Sequence, residues 1–244
     1  MQAGHSPYLT KIAPSRRSLL LFAISAVCLR LGNNIVDAKE AKATPKPDNL
    51  LSPEAALKRL MEGNDRYVRG VSPGHDFKRE RPVLVDGQNP YAAVLSCADS
   101  RVAPELVFGS GLGDLFVCRL AGNFANDDTL ASMEYAVAVL NTPVILVLGH
   151  DHCGAIDATI KSLHGDKPPP GHISSIVAAL APAAKVFRQK PGDTFAEATR
   201  QNVIDNVNKL KSTGPILNAA VEQNRLKVVG GLYRLDSGRV DLLS

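Results

Sequence analysis

Two short motifs contain side chains that could together bind a metal ion. The first is Cys97-Ala98-Asp99-Ser100-Arg101, and the second, much further along the chain, is His150-Asp151-His152-Cys153. Two thiolates and one imidazole form a zinc site whose fourth position can stay open for water, as in catalytic sites. Asp99 could orient that water, and the guanidinium of Arg101 could hold the carboxylate. The pattern predicts a catalytic metal site with Cys97, His150 and Cys153 as ligands.

Three apolar runs of strand length indicate how the two motifs could meet. They span residues 91–95, 115–120 and 144–148, and the first and third are nearly continuous in apolar residues. Such runs are typical of strands buried on both faces of a parallel sheet. The first motif follows the first run and the second motif follows the third. Because parallel sheets bind their ligands at the carboxyl ends of the strands, we expect both motifs to converge there.

The rest of the chain supplies helices and a final pair of strands. Ser52-Pro53-Glu54 is typical of a helix start. Helical spacing and capping residues predict helices over residues 52–70, 129–140, 155–163, 173–187 and 194–211, with Pro182 marking a kink or break. Strands are predicted over residues 226–232 and 240–243, and a loop over 71–90.

These elements predict an α/β fold. We expect a mostly parallel central sheet flanked by helices, with a C-terminal antiparallel edge strand.

The N-terminal segment resembles an export signal. Arg16-Arg17 form a twin-arginine pattern, and the apolar run behind them is too short and too interrupted for a membrane span. Residues 1–43 are therefore predicted to be a removable export signal, 44–51 a linker, and 52–244 a single zinc-dependent catalytic domain. The expected location is the bacterial periplasm or the exterior. The alternative is a transit peptide for an organelle, or a disordered tail.

Charge and cysteine content argue against a nucleic-acid-binding protein and against a disulfide-stabilised scaffold. The net charge is +4, but residues 1–38 alone carry four basic residues against one acidic residue. The remaining chain is nearly neutral, which does not indicate a nucleic-acid surface, and no membrane partner is expected for the mature protein. Four cysteines are too few for a disulfide scaffold. Cys118, inside the second apolar run, is predicted to be a small buried hydrophobic residue.

Residues 96–156 resemble the β-class carbonic anhydrase family. The similar stretches are 97–102, 113–117, 119–123, 134–137 and 148–155, together with 62–67 and 201–203 outside that core. The resemblance implies one Zn²⁺ per subunit on Cys97, His150 and Cys153. It also implies that Asp99 and Arg101 are the catalytic dyad. The implied reaction is reversible hydration of CO2 to bicarbonate and a proton by zinc-bound hydroxide.

The same resemblance suggests residues that contact substrate. Gln88 stands nine residues before Cys97, as does a substrate-binding glutamine in the plant-like branch of the family. Phe116 and Tyr135 match residues that line the CO2 pocket, partly from a neighbouring subunit, and Gly154 is expected to bind substrate. A shared pocket implies a homodimer or a higher homo-oligomer.

Three alternatives remain open from the residues. His152, where small residues are more usual in the family, could be a proton shuttle or simply a solvated side chain. The same fold could hydrolyse carbonyl sulfide or carbon disulfide instead of hydrating CO2. The protein could also be a catalytically silent zinc-binding protein, although a structural site needs a fourth ligand and has no use for the Asp99–Arg101 dyad.

Overall fold

The described residues form a five-stranded sheet with helices packed against it. The computed structural model describes residues 51–71, 74–167, 169–186 and 194–243. The strands are β1 (Ala92–Ser96), β2 (Leu115–Arg119), β3 (Val144–His150), β4 (Lys227–Tyr233) and β5 (Val240–Leu243). They lie in the order β2-β1-β3-β4-β5, with every pair parallel except the antiparallel β4–β5 pair at the edge. The predicted fold class is confirmed, including the C-terminal antiparallel edge strand.

Helices cover both faces of this sheet. They are α1 (Pro53–Val68), α2 (Phe77–Val83), α3 (Pro104–Val107), α4 (Asp127–Ala138), α5 (Gly154–Leu163), α6 (Ile173–Lys185), α7 (Thr194–Ser212) and α8 (Leu217–Glu222). Ser52 caps α1 as predicted, because its hydroxyl accepts a hydrogen bond from the Ala55 amide at 3.2 Å. Helix α6 continues through Pro182 and ends three residues later.

The core lies in two layers on either side of the strands. Alternate residues of β1 and β3, such as Leu95 and Val147, pack with α4, α7 and α8 on one face. Their neighbours Val94 and Leu148 pack with α1 and the segment around α3 on the other face. The central strands β1 and β3 are buried throughout, whereas β2, an edge strand, is half-buried. The continuous apolar runs thus correspond to strands covered on both faces.

The loop predicted over residues 71–90 is wrong in part, because it contains helix α2. The sequence of α2, Phe-Lys-Arg-Glu-Arg-Pro-Val, has no apolar stripe, and a proline stands near its end. Hydrogen bonds to Asp76, the residue before the helix, stabilise its first turn instead. The carbonyl of Asp76 accepts from the Glu80 amide at 2.9 Å, and its carboxylate accepts from the Lys78 amide at 3.2 Å. The short helices α3 and α8 were also not predicted.

The predicted export signal, and all but the last residue of the predicted linker, lie outside the described residues. Within the described ranges, no helix combines the length and the apolar character that crossing a membrane requires.

Candidate metal centre

The three predicted metal ligands meet at the carboxyl edge of the sheet. Cys97 directly follows β1, His150 is the last residue of β3, and Cys153 directly precedes α5. Parallel pairing sets Ser96 opposite Leu148, so both strands deliver their ligands at the same level. Residues far apart in the sequence therefore converge, as the strand pattern predicted.

The geometry of this cluster suits a tetrahedral metal ion. The ligand atoms of Cys97, His150 and Cys153 all lie within 4.8 Å of one another, and the two sulfurs are 4.0 Å apart. Tetrahedral zinc with bonds to sulfur of about 2.3 Å requires a sulfur–sulfur distance of roughly 3.8 Å. All three residues are at most 4% exposed. The spacing and the donor types both match a zinc site.

The imidazole of His150 is oriented for metal binding. Its Nδ1 lies 2.7 Å from the carbonyl oxygen of Asp151, so Nδ1 carries the proton and donates to that carbonyl. The other nitrogen, Nε2, is buried and has no hydrogen-bond partner among the described residues. A buried ring nitrogen with a free lone pair beside two cysteine sulfurs is suited to binding a cation. This observation supports a metal ion at the site independently of the residue types.

A hydrogen bond joins the two ligand sulfurs. The Cys153 thiol is a hydrogen-bond partner of the Cys97 sulfur, and this contact lowers the pKa of Cys97 while it raises the pKa of Cys153. The backbone amide of Gly122 also donates to Cys97 Sγ at 3.3 Å, which further stabilises the Cys97 thiolate. Metal ions bind cysteine as thiolate, so a bound cation would displace the proton between the two sulfurs.

Asp99 and Arg101 form the predicted dyad beside the ligands. Arg101 Nε and Nη2 donate to the two carboxylate oxygens at 2.9 and 2.8 Å, and the Arg101 backbone amide donates at 2.9 Å. These hydrogen bonds hold the pKa of Asp99 well below its usual range, so the carboxylate stays ionised. Asp99 Oδ2 lies 3.9 Å from His150 Nε2, beside the ligand cluster.

Arg119 stabilises the backbone of the site, a role that the sequence did not reveal. Its Nε donates to the Cys97 carbonyl at 3.1 Å and its Nη2 to the Asp99 carbonyl at 2.7 Å. It therefore fixes the backbone that carries both a predicted ligand, Cys97, and the predicted catalytic carboxylate of Asp99. The only sequence signal was its place within the stretch 119–123 that resembles the family.

The predicted substrate residues do not form one group in this single chain. Phe116 and Tyr135 contact each other, with ring centroids 6.2 Å apart. Gln88 and Tyr135 line a recess of about 600 Å³ whose described lining residues include none of the ligands. Gly154 directly follows Cys153 as the first residue of α5 and is exposed. Their roles stay predictions.

His152 and Cys118 lie to the sides of the cluster. The backbone carbonyl of His152 accepts from Arg101 Nη2 at 3.3 Å, and its exposed ring lies 6.5 Å from the ring of Phe195. Cys118 is half-buried against the core on β2, and burial raises its pKa. Among the described residues, the ligand cluster comprises Cys97, His150 and Cys153 without Cys118.

Comparisons with known proteins agree with this geometry. Residues 92–240 match the family model described as carbonic anhydrase. The chain is 39% identical to carbonic anhydrase 2 of Mycobacterium tuberculosis over 78% of its own length and 93% of that protein. It is also 39% identical to a carbonic anhydrase of Mycolicibacterium smegmatis, over 79% and 94%.

A solved structure shares the fold as well. The β-carbonic anhydrase CcaA is 29% identical and superposes with a TM-score of 0.59, over 77% of this chain and 95% of that one. The family model covers more than half of the chain, and the relatives are matched over nearly their whole length. The chain belongs to the β-carbonic anhydrase family and is an enzyme, a carbonic anhydrase.

Proposed function

We propose that the protein hydrates CO2 reversibly to bicarbonate and a proton, with one Zn²⁺ per subunit held by Cys97, His150 and Cys153. The observation that carries the proposal is the buried Cys–His–Cys cluster with an ionised carboxylate, Asp99, 3.9 Å from Nε2 of His150. When bound, zinc lowers the pKa of a water molecule enough to make a nucleophile near neutral pH.

Asp99 directs the nucleophile in this mechanism. Because its carboxylate is ionised, Oδ2 can only accept a hydrogen bond. Holding the nucleophile's remaining proton at Oδ2 turns an oxygen lone pair toward the carbon of CO2. Arg101 donates to both carboxylate oxygens, and these hydrogen bonds oppose a rotation of Asp99 onto the ligand cluster. The proposed site is therefore open, with Asp99 outside the set of metal ligands.

Metal content and rate together test this proposal. The protein should contain about one zinc per chain, and Asp99→Ala should retain the zinc while CO2 hydration in a stopped-flow assay falls at least ~100-fold. Asp157→Ala is the control, because Asp157 forms an ion pair with Lys161 at 2.7 Å on the surface of α5. An unaltered rate in Asp99→Ala, or a wild type without bound metal, would refute the mechanism. Faster turnover of carbonyl sulfide or carbon disulfide would reassign the substrate.

We further propose that the enzyme is at least a homodimer of the plant-like type, with a pocket completed by the neighbouring subunit. Tyr135 is 48% exposed although it is a large aromatic residue beside Phe116. The apolar strand β2 lies at the edge of the sheet and is only half-buried. A second subunit over this edge would cover both features. Sedimentation equilibrium tests it, and a monomer at assay concentration would contradict it.

Export by the twin-arginine route is proposed from Arg16-Arg17. This route moves folded proteins, so zinc could protect both thiolates before export. Changing both arginines to lysine should leave the protein in the cytoplasm, which cell fractionation would detect. Unchanged export would contradict the proposal, and an organellar location would support the transit-peptide alternative.

A further inference from the structure

Helix α7 buries two asparagine side chains that touch no metal ligand. Asn202 is 3% exposed and Asn206 is 7% exposed, on a helix face that is otherwise apolar at Val203 and Leu210. A buried amide is costly unless its hydrogen bonds are satisfied. Each amide has one hydrogen bond to the same loop, residues 120–126, which connects β2 to α4.

These bonds attach the loop to the helix at two of its residues. Asn202 Nδ2 donates to the Gly122 carbonyl at 2.9 Å. Asn206 Oδ1 accepts from the Ala125 amide at 2.6 Å, and Lys209 Nζ donates to the Ala125 carbonyl at 2.7 Å. Asn206 Nδ2 also donates to Asn202 Oδ1 at 3.0 Å, which fixes the orientation of the Asn202 amide. The row Asn202, Asn206 and Lys209 therefore holds the loop in one conformation.

The loop in turn contacts a metal ligand through Gly122. The Gly122 amide donates to Cys97 Sγ at 3.3 Å. Gly122 has φ +88°, and a Cβ at this position would lie 2.7 Å from Leu180 Cδ1. Glycine is thus required both by the backbone conformation and by the space. The hydrogen bond to Cys97 depends on this residue staying in place, and Asn202 holds its carbonyl.

We propose that Asn202 is a positioning residue that keeps the Gly122 amide directed at the Cys97 sulfur, and thereby tunes how strongly that thiolate binds the metal. The inference rests on the proposed zinc function. Groups that hydrogen-bond to metal ligands typically change metal affinity or activity by about 10- to 100-fold when they are lost. Asn202 acts one step further out, through the backbone of Gly122.

Asn202→Asp tests this chain of contacts with little change in side-chain size. The new carboxylate oxygen would face the Gly122 carbonyl and repel it, so the amide should move away from Cys97. We expect the zinc dissociation constant, measured by competition with a chromophoric chelator, to rise about 10- to 100-fold. In the Co²⁺-loaded protein, the thiolate-to-cobalt charge-transfer band should shift to lower energy, because the sulfur loses a hydrogen-bond donor.

Gln201→Glu is the matched control. It introduces the same charge one residue away, on an exposed side chain that bonds to Asp205 at 2.7 Å. Its zinc affinity and cobalt spectrum should equal those of the wild type. If Asn202→Asp does not fold, Asn202→Ser removes the same donor without adding a charge.

A purely structural role for Asn202 gives a different result. The melting temperature of the metal-free protein would fall, while zinc affinity and the cobalt band stayed as in the wild type. That outcome would overturn the inference and leave the proposed function intact. Failure of the wild type itself to bind zinc would instead contradict the proposed function.

Discussion

The close packing of α7 on the strand that carries His150 leads to a quantitative prediction for Gly149→Ala. A Cβ at residue 149 would lie 2.6 Å from Val203 Cγ2 and 3.2 Å from Leu232 Cδ2. Ordinary carbon–carbon contacts are about 3.5–4.0 Å, so helix and strand would have to separate by roughly 1 Å. Both elements are buried here, and neither can yield without loosening the core.

The magnitude follows from overpacking. Forcing a methyl group into a filled core costs about 1–3 kcal/mol, and we expect Gly149→Ala to destabilise the protein by that amount. Val203→Ala alone should cost about 1–3 kcal/mol for the two carbons it removes. In the double variant, the new methyl would occupy the space that Val203 vacates. We therefore expect its stability to be close to that of Val203→Ala, with a coupling energy of about 1–3 kcal/mol.

Urea unfolding at saturating zinc and fixed protein concentration measures these free energies. Gly154→Ala serves as the stability control, because a Cβ at that glycine meets no atom within 4 Å. Wild-type stability of Gly149→Ala would refute the reasoning. The reasoning would also be refuted if the destabilisations of Gly149→Ala and Val203→Ala added within about 0.5 kcal/mol in the double variant. Additivity would show that the two positions are not in contact.

Three further predictions concern the chemistry of the site. Arg101→Lys should lower kcat/KM for CO2 by about 10- to 100-fold although the positive charge remains. The reason is that a lysine ammonium lacks the planar, two-pronged donor geometry with which the guanidinium binds both oxygens of Asp99. A rate equal to that of the wild type would show that this paired hydrogen bonding is dispensable. His152→Asn, which tolerates the positive φ of 51° at this position, should change rates in weak and strong buffer by the same factor. A selective loss in weak buffer that imidazole restores would identify a proton shuttle. Activity should rise on the alkaline side of neutrality, since two thiolates neutralise much of the metal charge, and a pH–rate profile already flat below neutral would contradict this. Protonation of Asp99 should not cause the fall of activity at acid pH, because the lowered pKa of Asp99 keeps its carboxylate ionised in that pH range.

The ligand set could be predicted because few residue types bind zinc and because strand ends meet. Cys97 and His150 each stand at the end of a continuous apolar run, and the parallel pairing of β1 with β3 brings them together. The choice of ligand types and the convergence of the strand ends do not depend on exact element bounds. An error of two residues in a strand boundary therefore leaves the predicted ligand set unchanged.

The outer contacts could not be predicted in the same way. Asn202 and Asn206 stand four residues apart on a helix, a spacing that is equally typical of a solvated surface. Only the packed structure shows that they are buried and bonded to the loop after β2. The surroundings of Tyr135 and Gln88 could not be predicted from one chain either, because the pocket proposed for them includes a second subunit.

Helix α7 contributes no metal ligand, yet it touches the segments that supply two of them. Val203 packs against Gly149, the residue before His150, and Asn202 holds Gly122, whose amide donates to Cys97. Arg119 holds the same cysteine's carbonyl from β2. Because Cys97 and His150 come from the ends of separate strands, their spacing depends on the side chains and loop segments that pack across those ends. A change at Asn202 should therefore alter metal affinity, whereas a change on the exposed face of the same helix should alter neither metal affinity nor stability.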